Sequence, residues 1–197
     1  LIPSGETSSY RSNPVRLAEF TLSRRVPEYV ARAKAAAALE AQRRAGDVPE
    51  QLKRILSAVG DAEALARDTQ FGSAIFANRP GDGSAREQAA SCQRVLGGLA
   101  NICYAFATKR YRSNCINWGM VPFTLDETTP FPYEDGDCLF VPGIRTAIAN
   151  AQEQITGQVI RRNGAVEPIT LHVTGLTDDE RQILLDGCLM NYYANRT

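Results

Sequence analysis

One short stretch decides how this chain folds: Gly81-Asp82-Gly83-Ser84-Ala85-Arg86-Glu87. Its glycines free the backbone immediately before a serine. After the serine the apolar residues recur at helical spacing, at Ala85, Ala89, Cys92 and Leu96. The stretch therefore predicts a glycine-rich turn that opens directly into a helix.

Such a turn has the chemistry of an anion site. The first amides of a helix have no acceptor within the helix, and the positive end of the helix dipole points in the same direction. Ser84 adds a hydroxyl at this point and Arg86 adds a guanidinium. We expect an anion to bind here, and the same amides would stabilise a serine alkoxide.

A purely structural interpretation stands beside this one. Ser84-x-x-Glu87 is also the pattern of a capping box, in which the serine and the glutamate side chains each bond an amide of the first turn. The residues alone leave both interpretations open. The stretch has neither the lysine of a phosphate loop nor the third glycine of a dinucleotide turn, so no nucleotide site is predicted.

Length and charge narrow the classes of function. A chain of 197 residues with 44% hydrophobic content can bury a core, as one domain or as a domain with an appendage. Lys+Arg and Asp+Glu number 22 each, which gives no reason to expect a nucleic-acid or membrane partner. The basic run Lys109-Arg110-Tyr111-Arg112 is more typical of an exposed helix start than of a nucleic-acid patch.

The ends of the chain and its apolar runs carry a further expectation. No run is long enough to cross a membrane, and no charged-then-apolar secretory signal is present. The chain begins at Leu1 rather than at Met, which favours a piece of a longer protein.

The cysteines predict a reduced, cytoplasmic protein. They are widely spaced, odd in number and without a Cys-x-x-Cys pair, which argues against a disulfide framework and against a self-contained zinc or iron–sulfur site. No metal ligands are therefore expected in this chain. The lone histidine, His172, is expected on the solvent-facing side of a strand, and by itself it cannot build a catalytic triad.

Composition and periodicity divide the chain into three parts. Residues 1–20 are expected to be irregular, and residues 21–70 to be helical, with helices over 27–44 and after Pro49. Residues 71–197 alternate strands with helices, and Asn163-Gly164 predicts a hairpin. The expected strands lie at 73–77, 99–106, 119–123, 138–141, 155–162 and 166–173. Helices are expected after Ser84, over 108–117 and after the capping pattern Thr177-x-x-Glu180. This order predicts a layered α/β fold with a mixed sheet.

Several motifs follow one another in a fixed order. They are Gly81-Asp82-Gly83-Ser84-Ala85-Arg86-Glu87-Gln88-Ala89-Ala90, Leu96-Gly97-Gly98, Arg112-Ser113-Asn114 and Asn117-Trp118-Gly119-Met120-Val121-Pro122. Together they resemble the swivel (C-terminal) domain of the aconitase superfamily, which carries G-x-G-S-S-R-E-x-A, then L-G-G, then R-x-N…G-x-x-P. The agreement covers residues 71–125, and residues 154–195 are similar to the closing elements of that domain. Within the superfamily, the chain resembles the large single-chain bacterial hydratases in particular.

The resemblance implies a fold and a partner. The fold would be the layered β/β/α swivel domain with a mixed sheet, here with an N-terminal helical insertion. The enzyme would be a hydro-lyase that adds water to, or removes it from, a di- or tricarboxylic acid with the help of a 4Fe-4S cluster. In the family, cysteines of the other domains hold that cluster. The partner would then be the cluster-bearing domains of the same enzyme or a large subunit, and this chain alone would be inactive.

The resemblance also assigns roles to residues of the serine motif. Ser84 would be the base that takes a proton beside a carboxylate. Arg86 would stabilise the alkoxide and the anionic substrate. Arg11 is the candidate for a second, upstream arginine that grips a substrate carboxylate.

This chain departs from the family pattern at two positions, and two alternatives follow. Ala85 stands where the family has a second serine that helps to hold a substrate carboxylate, and Gln88 stands where many members have histidine. Ala85 favours a non-catalytic anion-binding or regulatory module with the same fold. The other alternative is a separate small subunit of an isopropylmalate-dehydratase-like enzyme.

Overall fold

The computed structural model describes residues 1–196. Within them the strands form one six-stranded sheet. They are β1 (Ser73–Phe76), β2 (Gly98–Cys103), β3 (Val121–Thr124), β4 (Cys138–Phe140), β5 (Gln154–Ile160) and β6 (Val166–His172). Their order across the sheet is β1-β2-β3-β6-β5-β4.

The α-helices lie before, between and after the strands. They are α1 (Pro14–Ala18), α2 (Tyr29–Arg44), α3 (Glu50–Ser57), α4 (Ala62–Asp68), α5 (Arg86–Val95), α6 (Lys109–Asn117), α7 (Ile144–Ala149), α8 (Asp178–Asp186) and α9 (Leu189–Ala194). A short 3-10 helix over Ser8–Tyr10 precedes them.

The sheet has a parallel half and an antiparallel half. β1, β2 and β3 run parallel and are joined through α5 and α6, whereas β6, β5 and β4 are antiparallel neighbours. The two halves meet at the single pair Thr124–His172. The predicted α/β class with a mixed sheet is confirmed.

Each face of the sheet has its own core. Ala100 and Ile102 of β2 face a cluster built largely from the strands, whereas Asn101 faces α5 and α6. This alternation follows from the two-residue period of a strand. The strand cluster is built around buried Phe123, Leu125, Ile155, Val159, Ile169, Leu171 and Val173.

The strands and the hairpin were predictable from the sequence. The hairpin turns at Asn163-Gly164, where Gly164 has a φ of +86° and the Asn163 side chain accepts a bond from the Ala165 amide. The helices predicted over 27–44, after Pro49 and over 108–117 are also present as α2, α3 and α6.

Two predictions of local structure were wrong, and two helices were not predicted. Residues 1–20 are not wholly irregular, because Asn13 caps α1 and Pro14 occupies its first turn. The last helix is two helices, because Gly187 adopts a left-handed φ of +94° between α8 and α9. The helices α4 and α7 were not predicted. Whether residues 21–70 form a unit of their own stays a prediction.

The break at Gly187 is also a close backbone contact. A Cβ atom built on Gly119 would lie 1.8 Å from the carbonyl oxygen of Gly187, so the end of α8 crosses directly over the start of β3. Beside this crossing, Ile116 of α6 packs with Ile183, Leu184 and Tyr192. Among residues 1–196, no helix has the length and apolar character needed to span a membrane.

Candidate functional site

The serine turn, residues 77–85, lies between β1 and α5 at the carboxyl edge of the parallel strands. The connections that follow β2 and β3 leave the sheet at the same edge. In open α/β sheets, ligands bind at this edge because the loops there converge while helix N-termini point toward them.

The first half of the serine turn is fixed to the neighbouring connection. The carbonyl of Asn78 accepts bonds from the amides of Tyr104 (3.2 Å) and Ala105 (3.3 Å). The carbonyl of Pro80 accepts a bond of 2.9 Å from the amide of Ala107. This half of the turn therefore follows the path of the chain after β2.

Gly81 is the position where this fixed half ends. It has a φ of +95°, and a Cβ atom there would lie 2.4 Å from the ring of Tyr111. The Thr108 hydroxyl donates to the Gly81 carbonyl (3.0 Å) and accepts a bond of 3.2 Å from the Tyr111 amide. Only glycine fits both the backbone conformation and the space.

Tyr111 is itself held in a closed ring of buried hydrogen bonds. Its hydroxyl donates to Asn101 Oδ1, Asn101 Nδ2 donates to Gln93 Oε1, and Gln93 Nε2 donates back to the Tyr111 oxygen, each at 2.8 Å. None of the three residues is more than 1% exposed. Burial raises the pKa of Tyr111, so its hydroxyl stays protonated at neutral pH.

The second half of the turn is open. Gly83 has free space where a Cβ atom would stand, and Ser84 is exposed. Among the residues described, no group forms a hydrogen bond with the Ser84 hydroxyl. The serine predicted to act as a base is therefore at the surface of the turn and not within the hydrophobic interior.

The capping-box interpretation of Ser84-x-x-Glu87 was wrong. The helix begins at Arg86, so Ala85 occupies the N-cap position and offers no side-chain acceptor. Glu87 accepts a bond of 2.9 Å from Trp118 Nε1 instead of returning to the serine. Glu87, which the local pattern assigned to the cap, therefore bonds Trp118 at the end of α6.

Without that cap, the first turn of α5 keeps free donors. The first helical bond runs from the Ala89 amide to the Ala85 carbonyl, at 2.9 Å. Within residues 1–196, the amides of Arg86, Glu87 and Gln88 have no acceptor. These donors and the helix dipole create a positive potential beside Ser84.

Arg86 adds a permanent charge with an unused donor. The residue is half-buried, and its Nε is enclosed yet has no hydrogen-bond partner in the part of the chain described. An enclosed donor without a partner is costly, and more so on a guanidinium that stays charged. The arrangement is suited to an anionic ligand that would complete it. Ala85, between Ser84 and Arg86, is half-buried.

Arg11 stands apart from this group. It is exposed at the end of the 3-10 helix, and no hydrogen bond or ion pair among the described residues joins it to Ser84 or Arg86. Its neighbour Tyr10 stacks on Phe20 and packs on the cluster that includes Cys92 of α5. The structure thus attaches the segment of Arg11 to α5 but does not bring Arg11 into contact with the serine.

The cysteines are free thiols, and three of them are buried. Burial raises the pKa of Cys92 to about 11 and of Cys103 and Cys115 to about 12. Residues 1–196 contain no group of three or more His, Cys, Asp and Glu side chains that could hold a metal ion. The residues described therefore do not fit an iron–sulfur cluster, which needs thiolates held together.

His172 lies on the face of β6 predicted for it, opposite the buried Ile169 and Leu171, but this face is partly covered. Its side chain is only 21% exposed, and its Nε2 lies 3.4 Å from Asp126 Oδ1. The loop after β3 lies beside this end of the strand, and an open pocket of about 490 Å³ there is lined by His172, Thr129 and Tyr133. Strand alternation indicates which side a residue takes, but not which loop covers that side.

Sequence reasoning also missed Thr108 and Tyr111. Both sit in or beside the basic run that we interpreted as an exposed helix start. The available signal was the four-residue spacing from Tyr111 to buried Cys115, which places the two on one face of α6.

Comparison with known proteins agrees with this geometry. The family model for the aconitase C-terminal domain matches residues 21–128, more than half of the chain. The chain belongs to the aconitase C-terminal domain family. The match includes Ser84, Ala85 and Arg86, and Arg11 lies outside it. The resemblance noted in the sequence is thereby confirmed, and the family is of the hydro-lyase type.

Individual members of the aconitase C-terminal domain family are more distant. The chain is 25% identical over 140 residues to aconitate hydratase A of Bradyrhizobium diazoefficiens, a match covering 69% of this chain and 15% of that protein. It is 31% identical over 118 residues to a proposed mitochondrial aconitate hydratase of Aspergillus fumigatus, covering 59% of this chain and 14% of that protein. The chain thus spans about one seventh of the length of these relatives.

A solved structure was also found to be similar. It is a 3-isopropylmalate dehydratase from Methanocaldococcus jannaschii, with 26% sequence identity and a TM-score of 0.41. The alignment covers 68% of this chain and 70% of that chain.

Proposed function

We propose that this chain is the swivel domain of a 4Fe-4S-dependent hydro-lyase that acts on a di- or tricarboxylic hydroxy acid. Ser84 is the base, and Arg86 holds the substrate carboxylate. Arg11 is the second carboxylate-binding arginine. The observation that carries the proposal is the exposed Ser84 beside the first amides of α5 and the Arg86 Nε, which have no hydrogen-bond partner among residues 1–196.

The chemistry explains why these groups belong together. Removing a proton from carbon beside a carboxylate needs a strong base, and serine becomes one only where its anion is stabilised. Free amides, the dipole of α5 and the Arg86 guanidinium all favour the alkoxide. The guanidinium fork also matches a carboxylate, so one side chain can serve both base and substrate.

The cluster belongs outside this chain. The buried thiols, with their raised pKa values, do not fit it, so we assign it to the other domains of the enzyme or to a large subunit. When bound there, an iron–sulfur cluster of this family supplies Lewis acidity to the departing hydroxyl. It follows that this chain alone binds no cluster and has no hydratase activity. Free cysteines suit a reducing compartment, and we place the enzyme in the cytoplasm.

Ala85 bears on the substrate. A second hydroxyl at this position would donate to a substrate carboxylate, and alanine donates nothing. We therefore propose a substrate that relies less on this contact than the substrates of serine-containing relatives do.

The test is Ser84→Ala in the complete enzyme. Turnover should fall on the order of 10³-fold or more, because the base is lost while its surroundings remain. The matched control is Ser91→Ala, which removes a hydroxyl from α5 that donates to the Gln88 carbonyl at 3.4 Å. Rates are measured with aconitate and 3-isopropylmalate. Near-normal turnover of Ser84→Ala would reject the proposal.

A second candidate is a non-catalytic anion-binding module, which Ala85 favours. In that case the complete assembly binds polycarboxylates at the serine turn, and calorimetry detects this binding, but no turnover is found with any of them. Loss of binding in Arg86→Gln would locate the bound anion at this turn.

A further inference from the structure

We infer that Thr108 is a positioning residue for Ser84, acting through the carbonyl of Gly81. This inference rests on the proposed function, because it concerns where the serine oxygen stands. Thr108 itself lies on the connection after β2 and touches the turn 27 residues away in sequence.

Thr108 performs two tasks with one oxygen. The Thr108 hydroxyl donates a hydrogen bond of 3.0 Å to the Gly81 carbonyl and accepts one of 3.2 Å from the Tyr111 amide. The start of α6 and the end of the fixed half of the serine turn are thus joined through a single atom. A threonine that only capped α6 would need the second of these bonds alone.

Gly81 is held from its other side as well. The ring of Tyr111 fills the space where a Cβ atom would stand, and the bonds to Gln93 and Asn101 prevent that ring from moving away. Gly81 therefore sits between the Thr108 hydroxyl and an immobile aromatic face. Beyond it, the open half of the turn has no restraint of this kind, since Gly83 has free space around it.

The position of Ser84 is consequently decided at Gly81. Three peptide units separate the two residues, and a change in the Gly81 carbonyl direction reaches the serine with little to oppose it. Catalysis depends steeply on such placement, because a displacement of about 1 Å can cost about 10²-fold in rate.

The chain supplies a matched control in Thr177. Thr177 caps α8 as Thr108 caps α6, accepting a bond of 3.1 Å from the Glu180 amide. Its hydroxyl has no contact with the serine turn. Thr177→Val and Thr108→Val therefore remove the same kind of cap, and only the second also removes a bond to Gly81.

The experiment compares Thr108→Val, Thr108→Ser and Thr177→Val in the complete enzyme, with Ser84→Ala in parallel. We expect Thr108→Val to lower kcat about tenfold to hundredfold with little change in KM, because the base is displaced while the carboxylate contacts remain. Thr108→Ser keeps the hydroxyl and should restore kcat. Thr177→Val should lower the thermal midpoint by no more than Thr108→Val does, and should leave kcat unchanged.

Each outcome has one meaning. If Thr108→Val and Thr177→Val lose equal stability and neither loses kcat, Thr108 is only a cap and the inference is overturned. If Thr108→Val does not fold, Thr108→Ser is the deciding variant. It keeps the hydroxyl, so a tenfold loss of kcat in Thr108→Ser without loss of stability would contradict the inference. If Ser84→Ala is itself nearly normal, the proposed function has failed rather than this inference.

Discussion

Two helices of this domain begin with the same sequence pattern and start in different ways. α8 follows Thr177-x-x-Glu180, and both reciprocal bonds of the capping box are formed. The pattern Ser84-x-x-Glu87 stands at the start of α5, where neither bond of the capping box is formed. The glutamate of α5 bonds Trp118, and the helix begins two residues after the serine.

The difference shows what the surroundings add to a local pattern. The chain before α8 is held by Arg112, which donates to the Thr174 carbonyl, and by Glu153, which accepts from the Gly175 amide, and in this position Thr177 caps the helix. The chain before α5 is held at Gly81 by Tyr111 and Thr108, and Ser84 lies one residue before the N-cap position. One pattern stabilises a helix, and the other leaves a hydroxyl and three amides available to a ligand.

The largest effect is expected when the restraint at Gly81 is disturbed. Gly81→Ala should destabilise the protein by about 3 kcal/mol or more, because the new methyl group meets the Tyr111 ring in a left-handed backbone conformation. Urea unfolding at neutral pH measures it. Gly83→Ala is the control in the same motif, and with no atom near its Cβ it should cost less than about 1 kcal/mol. Equal losses in both variants would mean that Gly81 is not the restraint.

A smaller effect separates the two helix starts directly. Thr177→Ala should lower the free energy of unfolding by about 1 kcal/mol, the usual value of an N-cap. Ser84→Ala should change it by less than about 0.5 kcal/mol, since the hydroxyl bonds nothing in the part of the chain described. Thermal and urea unfolding of both variants measure the two values. A loss of about 1 kcal/mol in Ser84→Ala would restore the capping interpretation.

A further effect is a dependence of stability on pH, which arises from buried thiols of α5 and α6. The pKa values of Cys92 and Cys115 are raised from their usual 9.0 to about 11 and about 12. Above pH 9 the unfolded chain releases these protons and the folded chain does not, so stability present at pH 7 declines as the pH rises toward 12. Urea midpoints at pH 7.5 and pH 10 measure the decline.

Two variants assign that decline to the thiols. Cys92→Ala and Cys115→Ala should each have a flatter dependence on pH than the unchanged chain. No cysteine lies within α8. A decline of the same steepness in both variants would contradict the assignment.

Much of the fold was open to prediction because its signals are local. The alternation of β5 and β6, the Asn163-Gly164 turn and the spacing along α2 depend on neighbours in sequence. The break at Gly187 was missed because periodicity continues across it, and the break becomes visible only through its left-handed φ.

The candidate site likewise has a part that could be predicted from the sequence and a part that could not. The serine turn and its arginine could be found because they occupy adjacent positions. The bond from Thr108 to Gly81 joins residues 27 apart, and the bond from Trp118 to Glu87 joins residues 31 apart. No local pattern contains either bond. These distant contacts decide that Ser84 does not cap its helix.

The crossing of Gly119 and Gly187 has a consequence for how far the chain can be shortened. Because the end of α8 lies against the backbone where β3 begins, a protease that cut before Gly187 would remove part of the wall behind the parallel strands. Ile116 would then lose Tyr192 from the cluster that packs around it on α6. The smallest fragment able to present the serine must extend past this crossing, although the serine itself lies about a hundred residues earlier.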